Sequence, residues 1–439
     1  MDIYENYKDS GIDWVGKVPA SWKRSRIKFL LSHSSAGVWG EDEKGNKDDI
    51  VCFRAADFDY PHGCLKLDNN TVRNILSKQL EGRVLHKRDL LIEKSGGGDA
   101  TPVGRIVRFN YDGIATCSNF MHFISVNKNN DDNYLFYYFY AMYANNVNIL
   151  YFNQTTGIQN LKVNEYLGQI IFIPSLKEQS SISSYLDKKC SEIDNVISAQ
   201  QKRIALLQEL KQSVITHAVT KGLDPNVEMK DSGVEWIGKV PSNWEVAPIK
   251  RYSNIHTGNT PSTKEERYYD SEDINWFTPG DFYKDSLNES SKKISEISKK
   301  ENACRIFPAK SVYMIGIGGT IGKIAICEEE ASANQQINII VPNANTDYKY
   351  LAYCMRCQKT EIILSANVVT LPIINQDKTG YLFMPHPKMC EQKSIADYLD
   401  KKCISIDAAI SKAQHQVELL QEYKQSLITE VVTGKRKVS

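Results

Sequence analysis

Tyr185-Leu186-Asp187-Lys188-Lys189-Cys190 is written again, letter for letter, as Tyr398-Leu399-Asp400-Lys401-Lys402-Cys403, 213 positions later. The copy runs on downstream, where Leu206-Leu207-Gln208-Glu209 with Lys211-Gln212-Ser213 returns as Leu419-Leu420-Gln421-Glu422 with Lys424-Gln425-Ser426. In the first copy apolar residues fall at Ile182, Leu186, Cys190, Ile193, Ile197, Ile204, Leu207, Val214 and Ala218. Those steps of three, four or seven keep one stripe on one helix face. The second copy repeats the stripe from Ile395 and Leu399 to Leu427 and Val431. No Pro or Gly interrupts either run before Gly222 and Gly434, so each is predicted as a helix of roughly 40 residues, about 60 Å long. A seam held over about five heptads asks for a helical partner, and each copy is the obvious partner of the other. Two ordinary core helices fit less well, because the faces away from the stripe (Gln200, Gln201, Lys202, Arg203; Lys412, Gln414, His415, Gln416) are strongly polar.

A second repeat lies upstream of each helix. Lys8 to Pro19, with Trp22, Ile27 and Lys28, recurs as Lys230 to Pro241, with Trp244, Ile249 and Lys250, at an offset of 222. The two offsets differ because the regions between the repeated blocks diverge in length and sequence. The chain therefore divides into a head (1–22), a first variable region (23–176), a central long helix (177–222), a repeated head (223–244), a second variable region (245–386) and a C-terminal long helix (387–439). Both variable regions show short β-branched runs broken by turn residues, such as Ile50-Val51-Cys52-Phe53 and Ile337-Asn338-Ile339-Ile340-Val341, together with one helix each, near Tyr134–Asn146 and Tyr348–Leu364. The expected class is α+β, with an internal duplication that implies a pseudo-two-fold.

Composition narrows the function. At 439 residues the chain predicts two to four domains, and 41% hydrophobic with 24% charged residues is a globular composition. Lys+Arg 54 against Asp+Glu 53 does not by itself nominate nucleic acid. The start, Met1-Asp2-Ile3-Tyr4-Glu5-Asn6, has neither a basic segment nor an apolar stretch, which predicts a cytoplasmic protein. The ten cysteines lack framework spacing, and the single C-x-x-C, Cys354 and Cys357, reads as two half-buried thiols on a helix. Tyr134 to Phe152 carries no charge and imitates a membrane span, but its counterpart, Asp347 to Ser365, would carry Lys349, Arg356, Lys359 and Glu361 into lipid.

No motif for catalysis stands out. Gly316 to Gly322 ahead of Lys323 is one residue too long for a P-loop, and Ile324 stands where Ser or Thr belongs. The first copy, Gly96-Gly97-Gly98 leading to Gly104-Arg105, lacks the Lys. Either a tight loop that brings Arg105 or Lys323 to a phosphate, or a structural turn, accounts for these glycines. The His residues form no spaced cluster. G-x-S-x-G, H-E-x-x-H, a helix-opening G-x-G-x-x-G and the Asn/Asp-Pro-Pro-aromatic tetrapeptide of amino-methyltransferases are absent.

The head motif Trp14-x-Gly16-x-Val18-Pro19-x-x-Trp22 and the opening of each helix, Glu178-Gln179-x-x-Ile182-x-x-Tyr185-Leu186 and Glu391-Gln392-x-x-Ile395-x-x-Tyr398-Leu399, resemble the specificity subunit of Type I restriction-modification systems. The resemblance covers essentially the whole chain; a departure is the extra Asp99-Ala100-Thr101-Pro102 in the first glycine loop. It implies two target recognition domains, each reading one half of an asymmetric, bipartite site in double-stranded DNA, joined by two long helices forming an antiparallel coiled coil. It implies no catalysis and no cofactor in this chain. S-adenosylmethionine, ATP and Mg are expected on two adenine methyltransferase subunits and two nuclease-translocase subunits. The competing readings are a chain that itself cuts or methylates DNA and a coiled-coil scaffold without sequence-specific DNA binding.

Candidate DNA contacts are polar residues in predicted loops that can pair with base edges or reach phosphates. They are Arg54, Lys94, Arg105, Asn119, Thr155, Thr156, Gln159, Asn160 and Lys162 in the first domain. In the second they are Thr278, Lys323, Asn334, Gln335, Gln336, Thr370 and Asn375. Residues 23–176 hold 18 basic and 16 acidic side chains, and residues 245–386 hold 16 and 17. Neither is a generic polyanion binder, so specific contacts inside a larger assembly are expected to carry affinity.

Overall fold

The computed structural model describes residues 3–155, 157–270, 273–368 and 371–438. Four helices organise the chain: α1 (Asp132–Ala144), α2 (Leu176–Lys221), α3 (Tyr348–Cys357) and α4 (Met389–Val432). The chain forms two compact units, Met1–Gln201 with Gln414–Ser439, and Lys202–Ala413. Both long helices are cut between the units, because the two ends of each bury their stripes in different cores.

In the first unit four antiparallel strands lie in the order Ile106–Arg108, Asp89–Glu93, Met121–Val126, Leu31–Ala36. A smaller sheet pairs Ala115–Cys117 parallel to Asp49–Phe53, and Ile170–Ile173 closes the domain against Lys23–Arg26. Helix α1 starts at Asp131, whose carboxylate accepts from the Tyr134 N–H at 2.8 Å. Every residue from Tyr134 to Met142 is buried. That accounts for the charge-free stretch: α1 is covered on all sides, by the sheet, the head and the start of α2, so no face of it has to be polar. Among the described residues no helix is long and apolar enough to cross a membrane.

Ile182, Leu186, Cys190 and Ile193 of α2 share this core with Leu427, Ile428, Val431 and Val432 of α4. The head enters it through Trp22, whose indole N–H donates to Glu178 at 3.2 Å. Its strands Tyr7–Asp9 and Lys17–Pro19 pair antiparallel. Gly434 ends α4 at φ +74°, where a Cβ would lie 2.3 Å from Pro19 Cδ, so only glycine lets the chain turn there.

The second unit repeats this build. Its sheet runs Ser253–Thr257, Ile337–Pro342, Ser311–Ile315, Ile324–Cys327, Ser286–Leu287, and Ser332–Ala333 lies parallel to the strand ending at Phe277. Helix α3 is capped by Asp347 as α1 is by Asp131. Ile215, Ala218 and Val219 of α2 meet Ile395, Leu399 and Cys403 of α4 in its core. Trp244 donates to Glu391 at 3.1 Å, repeating the contact of Trp22 with Glu178. On α3, Cys354 is fully buried and Cys357 half-buried, both free thiols.

The long helices are 46 and 44 residues, about 69 and 66 Å at 1.5 Å per residue. Within the first unit Asp194 of α2 meets Lys424 of α4 at 2.7 Å, and within the second Lys211 of α2 meets Asp407 of α4 at 2.8 Å, so each unit pairs one end of α2 with the opposite end of α4. The stripe is fully buried at the helix ends but only half-buried at Ile197, Ile204, Leu207, Ile410 and Val417.

Candidate nucleic-acid interface

The two domains present one loop frame carrying different side chains. In the first, Phe53-Arg54-Ala55-Ala56-Asp57-Phe58 ends a strand and turns through the short helix Ala55–Asp57; in the second, Phe277-Thr278-Pro279-Gly280-Asp281-Phe282 does the same through Pro279–Asp281. Both phenylalanines of each copy are buried. The aspartate of each turn is buried too, and accepts the backbone N–H of Arg54 or Thr278 at 2.7 Å. Arg54 and Thr278 therefore hold the same backbone conformation, φ −123° with ψ 167° and 166°. For Asp281, burial pushes the carboxyl upward, but hydrogen bonds from Ser291 and Thr278 outweigh it and hold the group below the ordinary aspartate value.

The neighbouring loop repeats as well. Ser118 N–H donates to Phe53 O at 2.9 Å and Asn334 N–H to Phe277 O at 3.0 Å, which sets Asn119 and Phe120 in the places of Gln335 and Gln336. Lys94 N–H donates to Phe120 O, and Gly316 N–H to Gln336 O. Glu93 N–H donates to Arg105 O, and Ile315 N–H to Lys323 O. Gly104 and Gly322 occupy one more shared position, where a Cβ would meet Asn148 at 2.9 Å or Ile362 at 3.2 Å. These glycines serve close packing, the structural alternative left open by the sequence.

Side chains on this frame fall into two groups. Arg105 is bound by both oxygens of buried Glu93, Nε to Oε2 at 2.8 Å and Nη2 to Oε1 at 3.1 Å; that pairing outweighs burial and raises the guanidinium pKa above its ordinary value. Gln159 is buried and accepts the Val103 N–H at 3.1 Å. Asn334 is buried and bonds Gln336. These three brace the loops from inside. Others face outward. Asn119 is exposed, and Asn160 is exposed while accepting from Ser95 Oγ at 2.8 Å. Lys94 is half-buried, and Lys162 stands 3.9 Å from Glu165. Thr155 ends the strand Phe152–Thr155. Thr278 folds its hydroxyl back on Asp281 at 2.9 Å. Lys323, where Ile315 replaces the carboxylate of Glu93, is exposed with its amine 3.3 Å from Phe282 O. Gln335 accepts from Thr260 at 2.6 Å, and Asn375 caps the helix Gln376–Gly380. Thr156 and Thr370 lie outside the described residues.

Arg54 and Asn119 come together on a groove of about 580 Å³ in the first domain, whose walls include Trp39, Phe120 and Ile158. Phe120 and Ile158 are 54% and 49% exposed. Sequence reasoning passed over Trp39 and Phe120. The signal that leads to them is the repeated Phe-x-x-x-Asp-Phe, which fixes the register between the two divergent regions. Among the described residues no group of His, Cys, Asp and Glu could hold a metal ion.

A frame repeated within one chain, with its backbone pattern and buried Phe-x-x-x-Asp-Phe turn kept and its other side chains exchanged, is the build of a two-part recognition protein. The family described as Type I restriction modification DNA specificity domain matches residues 41–206 and again 241–418, and the chain belongs to that family. It is similar to the Type I restriction enzyme MjaVIII specificity subunit of Methanocaldococcus jannaschii, 24% identical over an alignment that covers 100% of this chain and 98% of the relative. The MjaIX specificity subunit of the same organism is 29% identical over 191 residues, 42% of this chain and 43% of that relative, so that match spans under half the relative's length. Among solved structures, a chain from the type I R-M system superposes with a TM-score of 0.72 at 15% identity, covering 94% of this chain and 98% of the other. The HsdS subunit from Thermoanaerobacter tengcongensis superposes with a TM-score of 0.53 at 15% identity, covering 95% and 98%. Both share the fold.

Proposed function

We propose that this chain is the DNA-reading subunit of a type I restriction-modification complex, with each domain reading one half of a bipartite, asymmetric site in double-stranded DNA. The observation that carries the proposal is the repeated loop frame with exchanged side chains: Arg54, Asn119 and Phe120 on one copy, Thr278, Gln335 and Gln336 on the other. Identical readers would demand a symmetric site, whereas different donors and acceptors in the groove select different bases. The chain carries no chemistry of its own in this reading. Two adenine methyltransferase subunits supply S-adenosylmethionine-dependent methylation, and two nuclease-translocase subunits bring ATP and Mg, in the cytoplasm. Docking of partners is supported by repeated exposed apolar residues on the long helices, Leu206 and Leu210 on α2 and, at the matching positions, Leu419 and Tyr423 on α4. The near-balanced charge of each domain favours partners that share the phosphate contacts. Methylome sequencing of cells that express the chain with its methyltransferase tests the proposal: one bipartite adenine-methylated motif is expected, and no such motif despite a confirmed complex would refute it.

A further inference from the structure

We infer that the first domain reads a guanine in its half of the site through Arg54, with Asp57 as the positioning residue, and that the second domain lacks this reading; the inference rests on the DNA-reading function proposed above. Position 54 is held by buried groups on both sides, Phe53, Asp57 and Phe58, in a conformation that its counterpart Thr278 reproduces. The frame is kept and the side chain is not, which is how a specificity position differs from a structural one.

The guanidinium is also set up for a ligand. Its Nη2 lies 3.6 Å from Asp57 Oδ1, close enough to limit its rotamers but too long for a hydrogen bond. The side chain as a whole stays 43% exposed on the groove, and its Nε has no hydrogen-bond partner among the described residues, so the fork is not spent on the protein. The other carboxylate on the groove, Glu93, has both oxygens taken by Arg105.

Two acceptors in DNA match an arginine fork, a phosphate and the O6/N7 edge of guanine. The surroundings favour the base edge. Asn119 beside Arg54 adds an amide that can pair with a base edge, and Ala55, Ala56, Phe120 and Ile158 on the same groove suit the apolar parts of a major-groove surface, such as a thymine methyl, better than a hydrated phosphate. In the second domain Thr278 is turned onto Asp281, and amides of Gln335 and Gln336 stand in the places of Asn119 and Phe120.

The test uses the complex of the full chain with its methyltransferase and duplexes carrying its methylated motif, each guanine of the first half-site replaced in turn by 7-deazaguanine, which lacks the N7 acceptor. One replacement is expected to weaken wild-type binding about 10-fold, and Arg54→Ala to bind the natural duplex about 10- to 100-fold more weakly while ignoring that replacement. Arg54→Lys, which keeps the charge but not the fork, should relax one position of the first half-site in the methylome and leave the second half-site intact. A first half-site without guanine, or Arg54→Ala still sensitive to 7-deazaguanine, overturns the inference. So does uniform weakening with a shallower salt dependence, which marks a phosphate contact. Loss of both half-sites in Arg54→Lys would assign position 54 to the fold and also overturn it. A wild-type complex with no bipartite motif would instead refute the proposed function itself.

Discussion

At residue scale, the exchange between Glu93 and Ile315 shows how one loop frame accepts different contents. The first domain places a carboxylate there and binds Arg105 through both oxygens, whereas the second places a hydrocarbon there and leaves Lys323 exposed. Sequence reasoning offered a phosphate contact or a structural turn for both Arg105 and Lys323, because each follows a glycine cluster, although the extra Asp99 to Pro102 already set the two loops apart. It had no means of seeing that Glu93, twelve positions upstream of Arg105, lies across the strand turn from it. Removing one partner of a buried ion pair leaves an uncompensated charge. Glu93→Ala is therefore expected to destabilise the first unit by about 3 kcal/mol in a denaturant titration. The double replacement Glu93→Ile with Arg105→Met, which copies the apolar solution found at Ile315, should recover most of that loss. A single variant as stable as wild type would show that the pair does not brace the loop.

At the scale of elements, the long helices were the most legible part of the sequence. Their stripe of Ile, Leu and Cys is periodic, uninterrupted and written twice, so period alone identifies them. The loop frame was far less legible. Its strands are two to five residues long, too short for alternation to register, and its groove unites Trp39, Arg54, Asn119 and Ile158 from four separate segments. The helix seam was legible in outline but not in depth: its ends sit in two cores, while its middle, near Ile204 and Leu207, is only half-buried. The repeated Lys–Asp pair inherits that difference. Lys424 and Asp194 are 9% and 21% exposed, and Lys424 also bonds Pro61 O at 2.8 Å; Lys211 and Asp407 are 24% and 52% exposed. Lys424→Ala is thus expected to cost about 2 kcal/mol, and Lys211→Ala under about 1 kcal/mol, in denaturant unfolding. Equal losses would contradict the reading of one pair as buried and the other as solvated.

At the scale of the whole molecule, duplication explains the division of labour. Each unit assembles a head, a variable domain and one end of each long helix, and each is locked by the same contacts: tryptophan to glutamate, lysine to aspartate, aspartate to the first turn of a buried helix. What differs lies in the variable domains, and it includes the outward side chains of the loop frame, which is where different half-sites must be told apart. The head, the helices and the duplication were readable from the sequence, because they are near-identical in both copies. The reading surface was not, because divergence is its function. The central claim, that each domain independently reads one half of the site, is tested most directly by replacing residues 23–176 with the corresponding domain of another specificity subunit and sequencing the methylome. One half of the bipartite motif should change to that of the donor while the other half stays as it was. A motif unaltered in both halves would contradict the account and leave the chain a scaffold.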